Sequence, residues 1–151
     1  MIKIICLGKI KESFYNDAIE EYRKRISKYT KIEIIELEDY KDDDKVVCLR
    51  KEKELILRAL KDKDNVVLLD IEGKEVDSIS FSKFVSDELA YNNNITFVIG
   101  SSNGLDNSIK ALTNKKVSFS KLTFPHQLFR IIFLEQIYRA FKIINNESYH
   151  K

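Results

Sequence analysis

Three short segments carry the residue types that could do chemistry. Between Ser118 and Gln127, the hydroxyls of Ser118, Ser120 and Thr123 are interleaved with Phe119, Lys121, Leu122 and Phe124, and the run closes on Pro125 and His126. Pro125 pushes Phe124 toward extended backbone. Such a loop can offer N–H and C=O groups to a purine edge while Leu122 and Phe124 form an apolar wall. The same residues can also cap a following helix, with Thr123 as the N-terminal hydroxyl, and the two uses are compatible. The second segment, Gly100 to Leu105, contains Gly100, Asn103 and Gly104, types that let backbone approach a ligand or take positive φ. It has no Walker lysine and lacks the GxGxxG spacing, which argues against a phosphate loop and leaves a plain turn as the alternative. The third segment, Leu69 to Gly73, follows an apolar run.

Other chemistries lack their residues. His126 and His150 are the only histidines, and neither has a carboxylate at ligand spacing, so no metal is expected. No Ser or Cys stands beside a base. Cys6 follows Ile4 and Ile5, so it reads as a buried, inert thiol, and Cys6 with Cys48 has no metal-ligand spacing. Glu135, Arg139 and Lys142 fall four and three residues apart, a narrow polar stripe whose first pair is also an ordinary helix ion pair. By its position alone, the tail from Ser148 to Lys151 is a frayed end.

The elements that must hold these segments alternate between strand and helix. Ile2 to Leu7 reads as a strand closed by Gly8. Tyr15, Ala18, Ile19, Tyr22, Ile26 and Tyr29 give a helix over Glu12 to Lys28, with Arg23, Lys24, Arg25 and Lys28 on its other face. A strand over Ile32–Leu37 precedes a helix running to about Leu60, with Leu49, Ile56 and Leu60 inward. Val66 to Ile71 is apolar except for Asp70, which fits a strand covered on both faces, and Glu72, Gly73 and Lys74 turn the chain. Ser80 caps a helix to about Tyr91 with Phe81, Phe84, Val85 and Leu89 inward. Ile95 to Ile99 is a buried strand, Asp106 opens a short helix, and Val117 to Ser120 is the last strand. The predicted class is α/β, a mostly parallel sheet flanked by helices in one domain, residues 1–151.

The last helix, opened by Pro125, is apolar on more than one face, from Leu128 and Phe129 through Ile143 and Ile144. It is therefore covered on two sides, either inside the fold or by a second subunit. The homodimer is favoured, because few other elements remain to cover it.

Length and composition fit this reading. A chain of 151 residues with 44% apolar residues, one Pro and four Gly is a single globular domain, not a disordered or repetitive one. Lys and Arg total 26 against 24 Asp and Glu, so any nucleic-acid contact must come from local clusters. No apolar run is long enough for a membrane span, and a cytoplasmic location is the default expectation.

Five separated stretches together resemble the RlmH family: Leu69–Lys74, Val98–Leu105, Phe119–Gln127, Glu135–Ala140 and Tyr149–Lys151. The resemblance covers essentially the whole chain. It implies a minimal SPOUT methyltransferase with a C-terminal trefoil knot, working as a homodimer. It also implies methylation of N3 of a pseudouridine (position 1915 type) in 23S rRNA within the assembled ribosome. The implied cofactor is S-adenosylmethionine, with S-adenosylhomocysteine as product, contacted by Leu69, Gly100, Phe119, Ser120, Lys121, Leu122, Thr123 and Phe124. Glu135, Arg139 and His150 are the candidates for easing proton loss from N3 or orienting the base, with Tyr149 placed to stack or hydrogen-bond. Ser101 stands where the family usually has a second glycine; if that backbone needs positive φ, it costs roughly 1 kcal/mol or more. A non-catalytic ribosome-associated factor and a SPOUT enzyme acting on another RNA are the competing functions.

Overall fold

A computed structural model describes residues 1–151. In chain order the elements are β1 (Ile2–Leu7), α1 (Ser13–Ile26), β2 (Ile32–Leu37), α2 (Lys45–Ala59), β3 (Val66–Glu75), α3 (Ser78–Asn92), β4 (Ile95–Ile99), α4 (Asn107–Lys110), β5 (Lys116–Ser118) and α5 (His126–Ile144). The five strands form one sheet in the order β2-β1-β4-β3-β5, parallel throughout. This is the expected α/β architecture.

Strand alternation divides the core between two faces. Ile2, Ile4 and Cys6 join Ile95, Phe97, Ile99, Val67 and Leu69 under α1, α3 and α5. Ile5 and Leu7 join Val98 and Leu68 under α2 and α4. α5 packs against both α1 and α3. Its Phe133 is in ring contact with Phe97, centroids 4.9 Å apart, and Phe81 stands edge-on to Phe119 at 5.0 Å. Phe133, Leu134, Ile137, Ala140 and Phe141 are buried, whereas Leu128, Ile131, Ile132, Ile143 and Ile144 are only half-buried. The fold thus covers one side of α5 and leaves the other partly open. Cys6 and Cys48 are both buried free thiols, and burial pushes the Cys6 thiol up to about 12.

Four local expectations change. Glu72, Gly73 and Lys74 do not turn the chain: β3 runs on to Glu75, slipping register against β5 between Leu69 and Lys74. A side chain at Gly73 would meet the backbone of Lys116 and Val117 at 2.7 Å, so glycine permits this close passage. The cap of α3 is Asp77, and Ser80 completes its capping box three residues on. β5 ends at Ser118, short of Ser120. On α2 the innermost residues are Cys48, Glu52 and Ile56; Leu49 and Leu60 are half-buried.

Two buried charges tie helices to the carboxyl end of the sheet. Arg130 of α5 is 1% exposed; its guanidinium pairs with Glu36 of β2 and donates to the carbonyl of Gly8 at 2.8 Å. Glu52 of α2, also 1% exposed, accepts from the backbone N–H of Tyr40 at 3.1 Å and from the Ser101 hydroxyl at 2.8 Å. Burial raises the pKa of Glu52, partly offset by those two donors.

Replacing Arg130 with Met strands the buried carbonyl of Gly8 and leaves exposed Glu36 without its ion pair, and is expected to cost about 2–3 kcal/mol in urea denaturation. Glu36→Gln should cost less, since the carboxylate is 37% exposed. Glu52 adds a pH dependence to stability through its raised pKa. The native state favours its protonated form, so its contribution is full below the ordinary 4.5 and is lost as pH rises through the raised pKa. The stability deficit of Glu52→Gln should therefore shrink from acid to neutral pH. A deficit independent of pH would contradict this.

Candidate active site

The carboxyl ends of β3, β4 and β5 open into a cavity of about 400 Å³. Ligands of open α/β sheets bind at this end of the strands. Its walls come from the three segments singled out in the sequence. Leu69, Gly100, Phe119, Ser120, Leu122, Thr123 and Phe124 all line it; Lys121 is exposed and does not. The volume falls in the range of small-molecule sites, and the lining combines apolar side chains with hydroxyls and backbone. An adenine nucleoside bearing an amino-acid arm fits that description.

The segment after β5 is secured at its ends. Phe119 enters the aromatic core beside Phe81, Phe129 and Phe133, and Phe124 stacks on Phe129 with centroids 6.1 Å apart. Between them the Ser120 hydroxyl accepts from the N–H of Leu122 at 2.9 Å, which shapes a short turn. Pro125 occupies the cap position of α5, and the capping hydroxyl expected at Thr123 makes no cap hydrogen bond.

The loop after β4 resolves the question of Ser101. Positive φ falls on Gly104, at 83°, and not on Ser101. Ser101 is therefore unstrained, and its hydroxyl joins Glu52 to the N–H of Asn103, at 2.8 and 3.2 Å. Gly100 cannot carry a side chain, because a Cβ there would lie 2.5 Å from the carbonyl oxygen of Gly104.

Charge is sparse in the lining. Asp70 contributes a carboxylate whose side chain is 7% exposed; Lys110 Nζ lies 3.1 Å from Oδ2 but out of line for a hydrogen bond. His126 also lines the cavity, and burial and then the neighbouring Arg130 lower its pKa, which favours the neutral ring. Sequence reasoning passed over Asp70, Glu52 and Arg130. Phase was the available signal for two of them: Glu52 stands four residues from Cys48 and from Ile56, and Arg130 shares the face of Phe133, Leu134 and Ile137.

Glu135, Arg139, Tyr149 and His150 form a separate cluster, where the tail folds back onto α5. Arg139 donates to Glu135 at 2.7 Å through Nη2, and the Tyr149 hydroxyl donates to the same carboxylate at 3.0 Å. The Arg139 guanidinium lies 4.6 Å from the Tyr149 ring centroid, and its Nη1 is 3.3 Å from His150 Nδ1. Burial and the Glu135 bond raise the Tyr149 phenol, so it remains a donor. The tail is thus tied down, contrary to the frayed end expected from position. The four residues do not line the first cavity. A second one of about 310 Å³ lies toward them, lined by Asp77, Ser78, Ile132 and Gln136, and sharing Phe119, Ser120 and Phe124 with the first. Gln136 links this second cavity to the cluster by donating to Glu135 at 2.9 Å.

Comparison with known proteins agrees with this geometry. The family model described as predicted SPOUT methyltransferase matches residues 1–150. A relative from Methanococcus maripaludis is 52% identical over 99% of both chains. Proteins named ribosomal RNA large subunit methyltransferase H from Caldicellulosiruptor saccharolyticus and Clostridium botulinum are each 48% identical, covering 100% and 99% of both chains respectively. A solved structure from Haemophilus influenzae, described as a probable methylase family protein, aligns with TM-score 0.55 at 14% identity, covering 99% of this chain and 70% of that one. At that identity it bears on the fold alone. The all-parallel sheet, the cavity at its carboxyl end and full-length similarity converge: the chain belongs to the SPOUT methyltransferases, in the RlmH family.

Proposed function

We propose that this protein methylates N3 of a pseudouridine in 23S rRNA of the large ribosomal subunit, using S-adenosylmethionine held in the cavity at the ends of β3, β4 and β5. The carrying observation is that cavity, lined by seven of the eight residues the family resemblance assigns to the cofactor. The relatives' shared name points to large-subunit rRNA; the pseudouridine N3 target comes from the family resemblance.

The cofactor supplies a methyl group already activated on a sulfonium, so the protein must align the acceptor and favour loss of its N3 proton. Arg139 is suited to the second task. Its guanidinium is held by Glu135 in a fixed orientation, and a fixed cation lowers the cost of an N3 anion. Glu135 already accepts from Arg139, Tyr149 and Gln136, which makes it an orienting group for Arg139 and Tyr149. Arg25 and Lys142 lie over the Tyr138 ring, and Tyr138 stands edge-on to Tyr149 at 5.0 Å. Cations interleaved with aromatics suit stacked bases and phosphates. Of the basic residues on α1 and in the turn after it, Arg23 and Arg25 are engaged by Glu20 and Glu21, which leaves Lys24 of the helix and Lys28 of the turn as the freer charges.

The working unit is a cytoplasmic homodimer with a C-terminal trefoil knot. The dimer is supported by the half-buried flank of α5 and by exposed Ile79 and Leu122 near it. Pairing through α5 would bring each tail toward the partner's cavity, where the catalytic cluster and the donor must meet. No helix is long and apolar enough to cross a membrane.

Arg139→Ala should lower methyl transfer to unmethylated ribosomes by at least about 100-fold while donor affinity stays within about twofold, since the residue lies outside the donor cavity. Removal of Tyr149 to Lys151 should act in the same direction. Radiolabelled transfer and calorimetry check both; unchanged transfer by a folded Arg139→Ala protein would refute the assignment. Mass mapping of rRNA and tRNA nucleosides from a deletion strain tests the target, and loss of a tRNA methyl group instead would overturn it.

A further inference from the structure

Asp70 is the only Asp, Glu, Lys or Arg among the residues that line the donor cavity. The other titratable group there, His126, is shifted toward its neutral form. The cavity therefore carries one unit of negative charge on an otherwise apolar and hydroxyl-bearing wall. That charge is poorly dissipated. The Asp70 side chain is 7% exposed, and its Oδ2 is sealed from solvent and receives no hydrogen bond. Oδ1 accepts only from the N–H of Glu72, at 3.1 Å. Lys110 is the one nearby cation, and it is shared: its Nζ lies 3.1 Å from Asp70 and donates to Glu72 at 2.9 Å. Two carboxylates and one ammonium leave the group at net minus one, beside a cavity where the effective dielectric is low.

We propose that Asp70 makes the cavity selective for the charge of its occupant, favouring the cationic methyl donor over the neutral thioether that remains after transfer. This rests on the reading of the cavity as the donor site. Both molecules carry the same zwitterionic amino-acid arm and the same nucleoside; they differ by the methyl group and the positive charge on sulfur. A fixed carboxylate distinguishes that charge through space, with no direct contact required. The difference promotes exchange of spent product for fresh donor, which binding of the shared nucleoside alone cannot do.

Calorimetry with S-adenosylmethionine and S-adenosylhomocysteine tests this on the full-length protein. The readout is the ratio of the two dissociation constants. Asp70→Asn, which keeps shape and removes charge, should shift that ratio by about tenfold against the donor. Lys110→Met, at a residue that does not line the cavity, should shift it the opposite way by leaving Asp70 and Glu72 uncompensated. Equal weakening of both ligands by Asp70→Asn, or an unchanged ratio in both variants, overturns the proposal, because a merely structural role moves both affinities together. If wild-type protein, folded by its thermal transition, binds neither ligand, the donor-site reading itself falls and the proposal with it.

Discussion

The burial of one guanidinium governs how this fold presents its site. Arg130 sits on the face of α5 that enters the core, where a charge is tolerated only if it is paired. Its Nη1 meets Glu36 at the end of β2 and its Nη2 meets carbonyls at the end of β1, chiefly that of Gly8, while Nε has no partner. The first turns of α5 are thereby fixed against the carboxyl edge of the sheet. The consequence reaches the site directly, because Pro125 and His126 begin that helix and also line the donor cavity. A hydrophobic residue at this position could fill the space but could not tell the helix where along the strands to stop. The guanidinium can, since its partners occupy one place only.

Much of the fold was legible because parallel strands covered on both faces are continuous apolar runs. Ile2–Leu7 and Ile95–Ile99 were read with the boundaries the structure shows, as was the edge strand Ile32–Leu37, whose Glu33 and Glu36 are exposed. The second half of β3 was not, and the reason is physical. Glu72, Lys74 and Glu75 lie outside the core, and Lys74 and Glu75 are held by backbone pairing to β5, so these side chains carry no burial signal. The innermost charges were missed for the opposite reason. A pattern that treats every charged residue as outward reads Glu52 and Arg130 as surface, although each sits in phase with buried apolar neighbours. Such a residue on the inward phase of a helix is itself information: it must have a partner fixed in space, as Glu52 has in Ser101 of the cavity lining and Arg130 in Glu36 and Gly8 at the ends of β2 and β1.

The candidate site was legible in its parts and not in its division. Types and spacing were enough to select the loops at the strand ends, and the structure brings them to one cavity, Lys121 excepted. Glu135 and Arg139 were readable as neighbours because four residues make one helical turn. Nothing local brings Tyr149 and His150 back onto that turn. The tail returns through long-range bonds, including Tyr149 to Glu135 and Tyr29 to Glu147. Ser101 teaches a related lesson. Its departure from glycine looked like a source of strain, yet the positive φ belongs to Gly104, and the serine hydroxyl makes the link to Glu52.

α5 then carries three different obligations on three of its faces. Arg130, Phe133 and Ile137 bind it to the sheet; Ile132 and Gln136 line the second cavity; Glu135 and Arg139 hold the tail. A single rigid helix of 19 residues transmits position among all three without any loop between them. The Phe119–Phe124 segment is its counterpart, since it forms a wall of both cavities and is anchored by a phenylalanine at each end. Between those anchors Lys121, Leu122 and Thr123 are exposed, with Leu122 72% accessible in the isolated chain. An apolar side chain left in water at the mouth of an apolar cavity stores free energy that covering it releases. The rigid helix therefore sets the geometry of the site, and the exposed middle of the loop is where covering by an occupant or a second subunit is rewarded.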